Sequence, residues 1–464
     1  MGIRIIVLYL LVTGLSIYAW KNWFVSLCGL IVMMAFMNRG DMPRSMLGIQ
    51  GMSLWNALFL AVGLAWAANR KREGLLWDMP SHISLLLWLS LLVVVLGFLR
   101  AVFDRSHIEM YSLTDLVSEH LINTIKWFLP ALLLYDGCRT RRRIIVAMSC
   151  ILIMYLIISA LVIRRMPMEA LYAYTESIHL SRMKLHKAVG YHAVDTSAFL
   201  AGAFWAVIAF LQLIRQKKYK LLALGASGII LVGQAMTGGR GGFLAWGCTG
   251  LTMCLLKWRR YLLAVPVVVV LLPIMFPGPV ERMLQGFGQR SVTGEETIDT
   301  QAVGSGRLQV WPYVVEEIGK SPWIGYGVLA MKRTGLSRRV GVELNDDTWP
   351  HPHNMYLAFL LDNGVLGSIP VFLLWGIMLL CSGRLFMNHN RLYSAVGGAA
   401  LAVILCQLYA GMGGQHFYPR ESTLATYAAM FVAFRVHIEE KRLAMEVERA
   451  AAGVKQDSGE VAVA

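Results

Sequence analysis

Charge is scarce in this 464-residue chain: Asp, Glu, Lys and Arg together make up 15% of it, against 57% hydrophobic residues. A soluble domain is typically about 25% charged, so a water-facing globule is excluded, and a mean hydropathy of +0.56 makes the membrane the solvent. The seven cysteines (Cys28, Cys138, Cys150, Cys248, Cys254, Cys381, Cys406) fall mostly inside apolar segments without zinc or redox spacing, and read as packing residues. No repeat of fixed period is visible, and no small-residue cleavage site precedes a soluble domain, so the first apolar run is expected to remain as a membrane helix. The formal charge of +15 is dispersed in short Lys/Arg clusters between apolar runs, as topology signals are, which sets nucleic acid aside as a partner.

What the chain does have is a succession of apolar runs. IIVLYLLVTGLSIYAW (5–20), ISLLLWLSLLVVVLGFL (83–99) and IIVAMSCILIMYLIISALVI (144–163) are each close to the roughly 20 residues a spanning helix needs. The pattern predicts helices near 4–20, 23–37, 51–68, 83–103, 121–135, 144–163, 194–214, 220–236, 241–257, 260–276, 355–381, 394–411 and 422–436. The fold class is therefore all-α, a polytopic membrane helical bundle of about 12–13 transmembrane helices with one long, partly helical outer loop. The densest basic runs, RKR at 70–72, RTRRR at 139–143, RQKKYK at 215–220 and KWRR at 257–260, fall at alternate connections, so all can be cytoplasmic together with the charged tail. The loop at 164–193, the turn at 237–241 and the segment 277–354 then share the other side. Thirteen crossings would put the N-terminus outside; a cytoplasmic N-terminus needs one of the first three segments to be re-entrant.

Three outer segments could carry chemistry. In TGGRGGFLAW (237–246), Arg240 stands between glycine pairs and two membrane helices, where an arginine is costly unless paired or functional. Glycines permit close approach of a ligand, and backbone N–H groups with a guanidinium make a phosphate cradle; a headgroup-snorkelling arginine is the plainer alternative. In GSGRLQVWPYVVEEIGKSPWIGYG (304–327), Ser305 could cap a helix beginning near Arg307, although Pro312 could shift Arg307 into the preceding turn. In DDTWPHPHNMYLAFLLDNGVLGSIP (346–370), His351, His353 and Asn354 lie just outside a membrane helix, where histidine suits proton transfer near neutral pH. The His-x-His pair lacks clean third and fourth metal ligands, Asp346 and Asp347 being only loose possibilities, so no metal is expected. The loop 164–193, with Arg182, Lys187 and interleaved tyrosines, reads as an amphipathic interface segment that could also receive an anionic lipid or sugar.

Together these segments resemble the O-antigen ligase family of bacterial inner-membrane glycan ligases and polymerases. Arg240 to Leu244, RGGFL, fits R-x3-L; His353, Asn354, nine residues, Gly364, two residues and Gly367 fit H-[NSQ]-x9-G-x2-G. Arg307 through KSPWIGYG is similar to the family's arginine, helix and Pro–Gly turn ahead of the histidine. The likeness spans roughly 195–380, and thirteen segments exceed the family's usual count of about twelve. It implies a metal-independent inverting transferase without cofactor, moving a glycan from undecaprenyl diphosphate to an acceptor hydroxyl at the periplasmic face of the inner membrane. Arg240 and Arg307 would bind the diphosphate, and His353 would activate the hydroxyl, with His351, Asn354, Arg182 and Lys187 in support. The acceptor stays open: lipid A core or a related acceptor for a ligase, a second lipid-linked glycan for a polysaccharide polymerase, or a protein for an O-oligosaccharyltransferase. A lipid-linked glycan flippase would show inverted repeats and midplane acids; none are seen, Asp195 and Asp362 lying near predicted helix ends. The expected division is 1–193 (N-terminal helices and outer loop), 194–436 (ligase-like core with periplasmic loop 277–354) and 437–464 (cytoplasmic tail, disordered at its end).

Overall fold

The computed structural model describes residues 3–43, 45, 51–284, 289–290, 296–297, 306–344, 349–414 and 416–460. Every expected apolar segment is helical. The chain runs through α1 (Ile3–Ala19), α2 (Trp23–Met37), α3 (Leu54–Arg70) and α4 (Ser81–Phe103). Next, α5 (Leu113–Leu116) passes through a π-helical turn at Val117–Ile122 into α6 (Asn123–Gly137), followed by α7 (Arg141–Arg165). The short α8 (Glu176–Val189) precedes α9 (Ala193–Phe210), α10 (Lys217–Met236), α11 (Arg240–Leu256), α12 (Val265–Met275) and α13 (Pro277–Leu284). The outer segment carries α14 (Arg307–Lys320), α15 (Ala330–Arg333) and α16 (Leu336–Glu343), and the chain closes with α17 (Met355–Met387), α18 (Arg391–Ala410) and α19 (Leu424–Glu460).

The molecule is a polytopic helical membrane protein. Among the described residues, six helices are long and apolar enough to cross a bilayer, and a seventh crossing arises if the segments Arg259–Met275 and Pro277–Leu284, bent by 102°, form one span. Several other apolar segments form helices of 15–17 residues, among them α1, α2 and α11, so the helices outnumber the full-length crossings. The centre of the bundle is built on small residues. In α18, the run Ser394 to Ala402 is buried throughout, and a Cβ at Gly202 of α9 would stand 2.9 Å from the Val403 Cα. Lipid offers no hydrophobic drive for helix association, so this close approach supplies the dispersion contacts that hold the helices together.

The basic clusters gather at one end. Arg70 and Arg139 meet the buried Asp136 at 3.0 and 3.2 Å, Arg143 meets Glu73 at 3.0 Å, and Arg435 of α19 meets Asp78 at 2.6 Å. Lys257, ending α11, donates to the carbonyls of Phe386 and Asn388 at 2.7 and 2.9 Å, and Asn388 bonds Glu440 of α19. Beyond this end α19 continues as helix to Glu460, with the Arg442–Glu446 i,i+4 pair along it, and 461–464 lie outside the described residues.

Candidate functional site at the opposite end of the bundle

Helices α11 and α17 both run towards the basic end, so their first residues, Arg240 and Met355, mark the other end. Arg240 is the first residue of α11, whose N-cap, Gly239, offers no side chain to the helix start. The surrounding glycines divide the work. Gly238 takes φ +61, and a Cβ at Gly239 or Gly242 would fall 2.5 or 2.0 Å from Ser197 side-chain atoms of α9, whereas at Gly241 it would meet nothing. Two glycines of this run therefore serve helix packing and do not line a ligand. Arg182 of α8 joins the turn by donating from Nε to the Thr237 carbonyl at 2.8 Å.

Arg307 likewise opens a helix. The N-cap of α14 is Gly306 at φ +74, without a side-chain cap; the expected cap, Ser305, lies outside the described residues. Pro312 is accommodated within α14, and Arg307 stays in the first turn instead of moving ahead of it. The guanidiniums of Arg182, Arg240, Arg282 and Arg307 lie within one another's fields. Burial, then the charges of Arg240 and Arg182, pull the Arg307 pKa down; burial above all does the same for Arg182. Two helix N-termini and four arginines make a concentration of positive potential suited to a multiply charged anion.

His353 sits beside them. It holds a left-handed backbone, φ +51, which a non-glycine residue adopts at a cost of about 1–3 kcal/mol. Asn354 explains how this is held: as N-cap of α17 its Oδ1 accepts from the Tyr356 and Leu357 N–H groups at 3.0 and 3.2 Å, so its visible role is to anchor the helix start behind the histidine. Trp311 of α14 donates to the Pro352 carbonyl at 3.0 Å, tying the Arg307 helix to the same segment. A Cβ at Gly413 would lie 3.1 Å from Arg307 Nη1, and one at Gly414 3.5 Å from His353 Nδ1, so a single short turn touches both.

The His353 ring packs against His351, centroids 4.1 Å apart, and edge-on to Trp349 at 5.7 Å; His416 lies 6.3 Å from His351. Burial first, then His351, Arg307 and His192, lowers the His353 pKa to about 3. Burial, then Arg420 and Lys332, lowers that of His351 to about 4, and His416 is pushed well below its usual value by burial and Arg420. The ring of His353 is thus neutral at physiological pH, with its basicity held down by burial and neighbouring positive charge.

The second glycine pair of the histidine motif has a mechanical meaning. At Gly364 α17 breaks, with φ +61 and ψ −171, and the 321–327 turn seats against the break. Val365 and Leu366 donate to the carbonyls of Pro322 and Trp323 at 2.8 and 3.0 Å, while Tyr326 and Gly327 donate to Leu361 and Asp362 at 3.0 and 2.6 Å. A Cβ at Gly364 would lie 2.4 Å from Trp323 C, and one at Gly325 2.5 Å from Gly364 N. The Pro–Gly turn and the glycine of the helix are two halves of one joint, which carries α14 and Arg307 towards His353.

Of the supporting candidates, Arg182 and His351 join the site, whereas Lys187 is exposed and engages Gly40 through its backbone carbonyl at 3.0 Å. Asp346 and Asp347 lie outside the described residues, among which no group of three or more His, Cys, Asp or Glu is arranged to hold a metal ion. Two residues of the site escaped the sequence reading. Arg282, whose guanidinium covers the Tyr174 ring at 4.3 Å, lies on α13, and His416 on the connection between α18 and α19, where GQHFYPRE was the only signal. An apolar groove of about 1260 Å³ runs along α9 to α13, from Lys257 and Arg260 at the basic end to Val280 and Met283, the latter next to Arg282.

Fold and site together define a multi-pass helical membrane protein with an arginine- and histidine-bearing site at one end. Residues 225–372, which contain Arg240, Arg307, His353 and the Gly364 joint, match the family model described as O-antigen ligase. Among curated proteins, one from Rickettsia conorii, provisionally named a polysaccharide ligase, is 22% identical over 178 residues, 37% of this chain and 41% of its own. A second, from Rickettsia felis and similarly named, is 30% identical over 79 residues, 16% of this chain and 19% of its own. The chain thus spans less than half the length of these relatives.

Proposed function

We propose that the protein is a glycan ligase of the bacterial inner membrane, transferring a glycan from undecaprenyl diphosphate to an acceptor hydroxyl at the periplasmic face. The observation that carries this reading is that Arg240 and Arg307, each opening a helix, lie in one another's field and that Arg307 stands beside the neutral His353. Arg240 and Arg307, with Arg182 and Arg282 beside them, would bind the diphosphate and stabilise the charge that develops as it leaves, each charged hydrogen bond contributing about 1.5–3 kcal/mol. That supplies the electrostatic work without a divalent cation. The apolar groove ending beside Arg282 would take the polyprenyl tail.

His353 would accept the acceptor's proton as its oxygen bonds to the anomeric carbon, with the electron pair of the broken C–O bond leaving on the diphosphate. Attack opposite the leaving group inverts the centre. General-base assistance contributes about 10²–10⁴ in rate. Burial first, then the charges of His351, Arg307 and His192, depresses the basicity of His353; a bound diphosphate would offset the Arg307 share of this and strengthen the base when the donor is in place. Sharing one constellation, a polymerase or a protein O-oligosaccharyltransferase would differ only in acceptor. The test is transfer from a defined undecaprenyl diphosphate glycan, in membranes or detergent, by wild type, His353→Ala and Arg240→Ala. Loss in both variants is expected, with wild-type activity persisting in chelator; normal turnover by both variants overturns the mechanism.

A further inference from the structure

We infer that a cavity of about 460 Å³ on the far side of His351, enclosed by the start of α6, the 328–332 turn and the 416–421 connection, is the binding site for a saccharide acceptor. This rests on the transfer reaction proposed above and names the class of its second substrate. The cavity and the apolar groove share no lining residue and are built from different elements: α9 to α13 for the groove, and α6, α15, the start of α17 and the last connection for the cavity. His351 and His416 form the cavity's inner wall, and His351 in turn stacks on His353. A donor held by the arginines and an acceptor in the cavity would therefore be held by different elements of the fold; inversion further needs the acceptor oxygen on the face of the anomeric carbon opposite the diphosphate.

The lining has the chemistry of sugar recognition. Glu119, Asn123 and Trp127, at i, i+4 and i+8, present a carboxylate, an amide and an indole along one helix face, and Lys332, Arg420 and Glu421 stand across from them. Carboxylates and amides pair with vicinal hydroxyls, while the buried Trp127 indole closes the base of this wall, packed on Trp55 at 4.6 Å and under the Lys126 ammonium at 4.2 Å. His120, also on this wall, has a buried Nε2 without a hydrogen-bond partner among the described residues. Mixed charge argues against a purely anionic or cationic occupant, and a lining clearly more polar than that of the apolar groove argues against a lipid chain.

The experiment measures initial rates with an undecaprenyl diphosphate-linked glycan as donor. Delipidated envelope oligosaccharide from the bacterium carrying this chain is one acceptor, and a serine- and threonine-containing peptide the other, for wild type, Glu119→Gln, Asn123→Ala and Glu421→Gln. The expected result is transfer to oligosaccharide, with the acceptor KM raised about tenfold or more by loss of a hydrogen bond to the sugar and the donor KM unchanged. The unchanged donor KM also shows that the variants are folded. Wild-type acceptor KM in all three variants overturns the cavity assignment while leaving the transfer reaction intact. Transfer to peptide alone overturns the saccharide class, and absence of transfer to either acceptor by wild type overturns the parent reading.

Discussion

Replacing Gly364 by alanine is expected to disable the protein without touching a residue that meets substrate. The new Cβ would lie 2.4 Å from Trp323 C and Ile324 N, both backbone atoms that cannot swing aside as a side-chain tip can. The backbone at φ +61, ψ −171 adds a penalty of about 1–3 kcal/mol for any residue with a Cβ. Relief requires the 321–327 turn to lift, which breaks the four backbone bonds linking it to 361–366 and loosens the Ile324 and Gly325 carbonyls from Arg100, which donates to them at 2.7 and 2.8 Å. Apolar side chains flank the joint exposed, Trp323 at 63% and Leu366 at 56%; where these meet lipid, water would not readily replace the lost partners. At about 1–3 kcal/mol for each stranded group, the total is of order 5 kcal/mol or more, comparable with the whole stability of a domain. The assay is thermal unfolding in detergent beside glycan transfer, with Gly376→Ala as control because a Cβ there meets nothing within 4 Å. A lowered transition and lost transfer are expected for Gly364→Ala, and neither for the control. Wild-type melting and transfer in Gly364→Ala would refute the interlocked joint.

Acidification should weaken the fold: His353 and His351 titrate near 3 and 4 when folded against about 6.5 unfolded, so the unfolded chain binds more protons and stability falls progressively below pH 6.5; His353→Gln should flatten this slope in denaturation measured from pH 7 to 4. Asn354→Ala should cost about 1 kcal/mol through the lost N-cap, read as a lower unfolding midpoint, and Asn354→Ser should restore most of it. Arg307→Lys and Arg240→Lys keep the charge but lose the bidentate fork, so donor KM or kcat should worsen in transfer assays, Arg→Ala more than Arg→Lys. Exchanging Ser197, which meets Gly239 and Gly242, for Val should displace Arg240 and reduce transfer while the α9–α18 packing persists, checked by kinetics alongside melting.

Where apolar runs were uninterrupted, their chemistry was enough to place helices, because a backbone in lipid must satisfy its own hydrogen bonds. The Asp362-Asn363-Gly364 run interrupts the apolar stretch from Leu357 to Phe372 and marks a turn-prone point, but composition does not reveal the partners that fill the gap, which come from about forty residues upstream in SPWIGYG. The reading of Arg240 and Arg307 at helix starts depended on glycine and local polarity, which are sequence-local. The nearness of Arg282 and His416 depended on how α13 bends and how the last connection folds back, which are not. Helix length is less legible than helix position, since a helix of 15 residues is as apolar as a longer one but reaches only about 22 Å.

The same distinction explains why donor chemistry was easier to read than acceptor chemistry. A diphosphate demands charge of one sign, and arginine amid apolar helices announces itself because it is costly there. A sugar acceptor asks for acids, amides, cations and an aromatic face in modest numbers, each of them unremarkable in an outer loop. Glu119 and Asn123 gain meaning only when the π-helical turn at Val117–Ile122 and the entry to α6 set them opposite Lys332 and Glu421, more than 200 and almost 300 residues away in the chain. Variation in this wall can therefore change the acceptor while Arg240, Arg307 and His353 stay fixed, so one constellation could serve ligation, polymerisation or protein glycosylation according to what the cavity admits.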